Sequence, residues 1–184
     1  MWERFNDKLK EKKGSSIIEF AIALLMFVLL VAFFVDMLTI GGKRFLIAQE
    51  TTTISRVIGV QGGVSSAVPV GYPGGDRSYL TSLELYKKIN DKLADTNIQR
   101  DEWTATLTEY NKNGQIIREL QLTPQTDFRV DYMHSMDIAI SASYQWTLMN
   151  FISGGLLNDA SVGAKRHTVS EFKYNFDEWE GEGY

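Results

Sequence analysis

Between Ile17 and Ile40 nearly every position is apolar, and from Phe20 to Val35 the chain carries no charge at all. These 24 residues make about 36 Å of α-helix, more than the roughly 30 Å of a bilayer's hydrocarbon. The pattern predicts one membrane-spanning helix over 17–40. Beyond it, Ile40, Ile47, Thr51, Ile54 and Ile58 recur at three-, four- and seven-residue spacings, an apolar stripe that carries the helix on to Ile58. A helix over 17–58 would be about 63 Å long. The pair Gly41-Gly42 is the point where it could bend or melt.

After Ile58 the pattern breaks up. Gly59 to Asp76 holds six glycines and two prolines, Pro69 and Pro73, and reads as a loop. Thr81 to Glu84 fits a capping box, and Leu85, Ile89 and Leu93 with Tyr86 mark one face of the helix it starts. From Trp103 the period changes to two. Trp103, Ala105 and Leu107 alternate with threonines, residues 111–114 supply a turn, and Ile116 to Leu122 return. A strand is expected over Met136–Leu148, with Ile138, Ile140, Ala142, Tyr144, Trp146 and Leu148 on its buried face and Asp137 on the wet one. A short apolar link, Phe151 to Leu157, leads to a last strand around 160–174. The fold class expected is α+β: a long, partly transmembrane N-terminal helix packed against a C-terminal antiparallel sheet. Its parts are a basic leader (1–14), the helix (15–58), a Gly/Pro loop (59–76), an α+β domain (77–174) and an acidic, flexible tail (175–184).

Charge and composition narrow the function. Residues 1–14 carry five basic and three acidic residues, so without them the formal net charge of −4 becomes −6. Phosphate contact needs a basic face, so direct nucleic-acid binding is not expected. The basic leader, with Lys43 and Arg44 beyond the span, predicts a cytoplasmic N-terminus and an outer C-terminal domain. A cleavable secretory signal has an apolar core of roughly 7–15 residues ending in small ones; this run is longer, and Asp36 to Gly42 is a weak peptidase site. With no cysteine, disulfides and thiolate chemistry are excluded.

Two carboxyl side chains flank the charge-free stretch. A charge inside a bilayer costs roughly 2.5–3.5 kcal/mol or more. Glu19, at the inner edge, either snorkels to the interface or pairs with a cation and sets the register of packed helices. Asp36, near the outer interface, is expected to be solvated. Catalytic signals are weak. His134 and His167 lack a helix-spaced partner, and His134 beside Asp131 and Asp137 reads as a strand-end loop before it reads as a metal site. No G-x-S-x-G elbow or calcium-loop pattern occurs, and the glycine pairs 62–63 and 74–75 lack a phosphate-loop context. Trp103, Tyr144 and Trp146 read as strand aromatics before a sugar-stacking surface. No enzymatic activity, cofactor or metal is expected.

The start of the chain resembles the type IV pilin superfamily, whose signature is a short basic leader, a glycine before the cut, glutamate at the fifth mature position and an apolar helix. Here these are Lys12-Lys13-Gly14, a start at Ser15, and Glu19. The nearest likeness is to TadE-like pseudopilins of tight-adherence systems and pilin-like proteins of conjugative elements. Ile18-Glu19-Phe20-Ala21, the stretch Lys43 to Gly59, and the terminal pair Ile138–Tyr144 and Ala160–His167 carry it. It covers 12–58 well and 136–172 loosely; residues 59–135 show none. Ser15 stands where many pilins have phenylalanine, which leaves N-methylation open, and Gly41-Gly42 could make the helix less continuous than a major pilin's.

The resemblance implies cleavage after Gly14 by a prepilin peptidase and extraction by an ATPase-driven membrane platform. The subunit would then pack with itself or sister pilins through the apolar helix, at positions such as Phe20, Ile40, Ile47, Ile54 and Ile58. The Ser15 α-amine would meet Glu19, on its own chain or a neighbour's. The product would be a surface filament or pseudopilus serving adhesion, secretion or conjugation, with this chain a minor subunit. The alternative is a permanently anchored single-pass membrane protein whose outer domain binds a ligand or partner.

Overall fold

The structure, a computed structural model, describes residues 2–69, 72, 78–96, 98–157 and 159–172, with side chains from Ser16 onward. In chain order the elements are α1 (Trp2–Gln61), β1 (Gly63–Val64), α2 (Ser82–Ala94), β2 (Trp103–Tyr110), β3 (Ile116–Gln121), β4 (Phe128–Arg129), β5 (Ser135–Tyr144), α3 (Thr147–Ser153) and β6 (Ala160–Val169). The fold is α+β, with the long N-terminal helix packed against antiparallel sheet. The chain divides into two compact units, Met1–Gly41 with Gln145–Asp159, and Gly42–Tyr144 with Ala160–Tyr184.

In the larger unit a four-stranded antiparallel sheet runs in the order β3-β2-β5-β6. β5 is its spine, pairing with β2 from Trp103↔Ala142 to Tyr110↔Ser135 and with β6 from Ser135↔Val169 to Tyr144↔Ala160. Alternation places Met136, Ile138, Ile140, Ala142 and Tyr144 in the core with Trp103, Ala105 and Leu107 of β2. The helix stripe completes it: Ile47, Thr51, Ile54, Ser55 and Ile58 are all buried. The hydroxyls of Thr51, Thr52 and Thr53 bond carbonyls four residues back, which lets three β-branched polar residues sit mid-helix. Arg166 Nε reaches Thr52 Oγ1 at 2.8 Å, and the Glu171 amide donates to the Gly59 carbonyl at 2.9 Å.

α2 starts at the expected capping box: Thr81 accepts from the Glu84 amide, and Glu84 accepts from the Thr81 amide at 3.0 Å. Leu85, Ile89 and Leu93 are buried on one face. Gln61, at the end of α1, bonds the Gly63 and Leu80 carbonyls and the Leu80 amide, joining the helix end to the approach of α2.

Several boundaries differ from the sequence pattern. The strand expected over 136–148 stops at Tyr144 because the chain leaves the ladder there, with Trp146 as the N-cap of α3 and Leu148 its second residue. The loop expected over 59–76 begins with the last helical residues through Gln61, then β1, which pairs with β4 (Gly63↔Arg129, Val64↔Phe128). α1 is assigned as helix from Trp2, through the leader and through Gly41-Gly42. Asp137, expected wet, is buried. β6 ends at Val169, short of 174. The tail 175–184 and Gly74-Gly75 lie outside the described residues.

Gly63 has φ +116° and a Cβ there would overlap the Phe128 carbonyl oxygen, whereas Gly41 and Gly42 face open space. Gly63→Ala is therefore expected to lower stability by about 2–3 kcal/mol, and Gly41→Ala to raise helix stability by about 1 kcal/mol. Urea titrations of the two variants in detergent, followed by circular dichroism, check both signs.

Candidate functional site

The smaller unit contains the apolar part of α1. From Ser16 this is one helix long and apolar enough to cross a membrane, with a mean hydropathy of 2.9 and 6% of its apolar window buried within the protein. Phe20 is 70% exposed, and Glu19, just before the charge-free stretch, is exposed. Ile40 is half-buried, while Ile47, Ile54 and Ile58 belong to the core of the larger unit. The five positions assigned to helix packing thus divide: three are used inside this chain, and Phe20 is uncovered. The side chains of Lys12, Lys13, Gly14 and Ser15 lie outside the described residues.

Asp36 overturns its expectation. It is 1% exposed, not solvated. Its carboxyl oxygens accept from the Leu148 amide at 3.1 and 3.2 Å and from the Met149 amide at 2.8 Å. These are the second and third residues of α3, the amides that an N-cap side chain ordinarily satisfies. The local N-cap, Trp146, supplies no side-chain bond. Asp36 therefore caps α3 from 112 residues away in sequence. At the far end Gly154 adopts the left-handed conformation (φ 68°) and donates to the Phe151 carbonyl, which closes the helix after seven residues.

α3 has no buried residue. Its segment presents Phe151 (86% exposed) and Leu156 (84%), with Leu148, Ile152 and Leu157 also exposed. The segment is attached to α1 through polar backbone bonds, and apolar surface is left uncovered around it. Periodicity missed this because the strand was extended through Trp146 and Leu148. The usable signal was the uncharged run Gln145–Leu157, in which Leu148, Phe151 and Ile152 fall at helical spacing.

A second cluster lies on the sheet. Asp137 accepts from Tyr110 Oη at 2.7 Å, Lys165 Nζ at 2.6 Å and His167 Nδ1 at 2.6 Å, bridging β2, β5 and β6. Glu109 meets Arg118 at 2.9 Å and His134 at 3.2 Å. The two histidines thus go to different carboxyls, and Asp131 turns to the Tyr132 amide, so His134, Asp131 and Asp137 are not brought together. Among the described residues no three such groups converge on a metal position. Tyr110, Asn111, His134 and His167 line an open cleft of about 520 Å³. Trp103 and Tyr144 are buried strand aromatics, with Lys43 Nζ 4.5 Å from the Tyr144 ring centre. Burial holds Lys43 below its ordinary pKa against the opposing pull of Glu102.

Burial alone would raise the Asp137 carboxyl, but the bonds from Lys165, Tyr110 and His167 outweigh it and hold it below its ordinary 3.8. The Asp137 and Tyr110 contacts hold Lys165 above its ordinary 10.5. The stabilisation from a depressed carboxyl is present above 3.8 and lost as pH falls through the lowered value; that from a raised lysine is present below 10.5 and lost as pH rises through the raised one. Wild type should therefore exceed Asp137→Asn in urea midpoint at neutral pH, with the gap shrinking in acid below 3.8. A pH series of urea titrations on both proteins measures it.

Asp36→Ala should cut hydrogen-exchange protection of the Leu148 and Met149 amides by about fivefold, the loss of a cap worth roughly 1 kcal/mol. Asp36→Asn, which keeps one acceptor, should lose less. Exchange mass spectrometry in detergent reads both. Comparison of the chain with protein-family models, curated proteins and solved structures finds no match.

Proposed function

We propose that this chain is a pilin-like assembly subunit of a type IV or tight-adherence-type filament, or of a related secretion or conjugation machine. The observation that carries the reading is Lys12-Lys13-Gly14 with Glu19 five positions after the glycine, opening a charge-free stretch from Phe20 to Val35. A plain anchor has no need of that glycine, and it is destabilised by a carboxylate at the membrane edge. The exposed apolar surface of α1 supports the same reading, since a helix that first spans lipid and then packs against sister helices keeps such a surface in both settings.

In this proposal the N-terminus is cytoplasmic and the sheet-bearing unit is outside. A prepilin peptidase cuts after Gly14, the new Ser15 amine pairs with Glu19, and pairing between neighbouring subunits fixes their axial register. An ATPase-driven platform moves the processed subunit from lipid into the filament. The sheet-bearing unit meets the medium, and the chain acts through contacts, with no catalytic turnover.

Protein isolated from its native cells should begin at Ser15, and Glu19→Leu should insert into the membrane but fail to enter filaments. N-terminal sequencing with intact mass, and filament fractionation of the variant, read these outcomes. A start at Met1 together with unaltered behaviour of Glu19→Leu would instead indicate a permanently anchored protein whose outer domain binds a partner.

A further inference from the structure

We infer that the segment Gln145–Asp159 is a second membrane-contacting element, a short interfacial foot whose occupant is the lipid of the bilayer's outer leaflet. The inference rests on α1 being a membrane helix and goes beyond it, because this segment is far from α1 in sequence and no hydropathy pattern for a span covers it.

Position is the first support. Asp36 lies four residues before Ile40, about 6 Å inside the end of the span at 1.5 Å per residue. The Leu148 and Met149 amides bond directly to its carboxyl. A residue of α1 at that depth holds the start of α3 at the same depth. If α1 spans a bilayer, the segment cannot be clear of the lipid boundary.

Chemistry is the second. From Gln145 to Leu157 no residue is charged, while Phe151, Leu156, Leu148, Ile152 and Leu157 are exposed. In water that exposed surface would be costly. The backbone is suited to an apolar surrounding: Asp36 takes the Leu148 and Met149 amides, and the Asn150, Gly154 and Gly155 amides donate within the segment. Trp146 enters the segment beside its polar cap, the kind of residue found at the headgroup boundary.

The form of the surface favours lipid over a protein partner. A protein groove covers one face of a helix and leaves the other wet. α3 has no buried residue, and its exposed apolar side chains continue past Gly154-Gly155 to Leu156 and Leu157. An apolar fluid can cover such a surface on several sides without shape complementarity.

The natural sequence has no cysteine, so one introduced thiol labels one position. Full-length Phe151→Cys, Leu156→Cys, Leu25→Cys and Asn113→Cys would each carry a nitroxide label in phosphatidylcholine vesicles. Collision rates would be measured with oxygen, which concentrates in lipid, and with a water-soluble nickel chelate. Leu25 reports the span, and Asn113, in the β2–β3 turn, reports water. The expected result is that the 151 and 156 labels collide severalfold more with oxygen and severalfold less with the chelate than the 113 label, with depths between 113 and 25. If 25 is in lipid while 151 and 156 match 113, the foot is overturned and the membrane helix stands. If 25 also matches 113, both fall. If 151 and 156 are shielded from both reagents, and show spin–spin broadening that disappears on dilution with unlabelled protein, a second copy covers the segment and the lipid assignment is overturned.

Discussion

Backbone amides away from water need acceptors, and the smaller unit is organised around one place where the acceptor comes from elsewhere in the chain. α3 begins at Thr147, and its N-cap residue, Trp146, supplies no side-chain bond. Asp36 supplies the cap across the α1–α3 contact. Since α3 buries none of its own residues, apolar packing is a weak hold, and these bonds tie the segment to the helix. The same contact accounts for Asp36 itself. A carboxyl in an apolar helix is costly alone, and here both of its oxygens receive donors.

The larger unit depends on a different set of constraints. Its core is apolar and spread over many elements, with Ile47, Ile54 and Ile58 from the helix buried as are alternate residues of β2 and β5. Register on the opposite face is reinforced by Asp137, whose partners Tyr110, Lys165 and His167 lie on the strands to either side of it. A one-residue slip of either neighbour would break that cluster and turn the core residues outward. Gly63 and Gln61 complete the connection by letting the chain leave the helix, pair with β4 and approach α2.

Function in the proposed reading follows from what each stretch of α1 is occupied with. Between Ile47 and Ile58 the apolar stripe is already consumed by the chain's own core. Between Ile17 and Val35 it is largely uncovered. A filament contact would therefore draw on the first stretch, with Phe20 and its neighbours, and not on the isoleucines that share its periodicity. The two flanking carboxyls are likewise different: Glu19 is exposed, and Asp36 is buried against α3.

Local chemistry was enough to read the long helix, the capped α2 helix, the β2–β3 hairpin and the central strand, because each is encoded by nearby residues: unbroken apolarity, Thr81 with Glu84, a turn at 111–114, alternation from Met136. The basic stretch, Gly14 and Glu19, on which the proposed function rests, lie within a few residues of one another in the sequence. What tertiary structure decided was the fate of polar groups whose partners are remote. Asp36 looked solvated because its acceptor role depends on amides 112 and 113 residues away. Asp137 looked wet by alternation and is buried because three neighbouring-strand side chains close over it. Trp146 and Leu148 continued the period of β5, yet the strand ends before them, and capping by Asp36 supports a helix there instead. Periodicity reports which face a residue lies on; only the assembled chain determines what stands opposite that face.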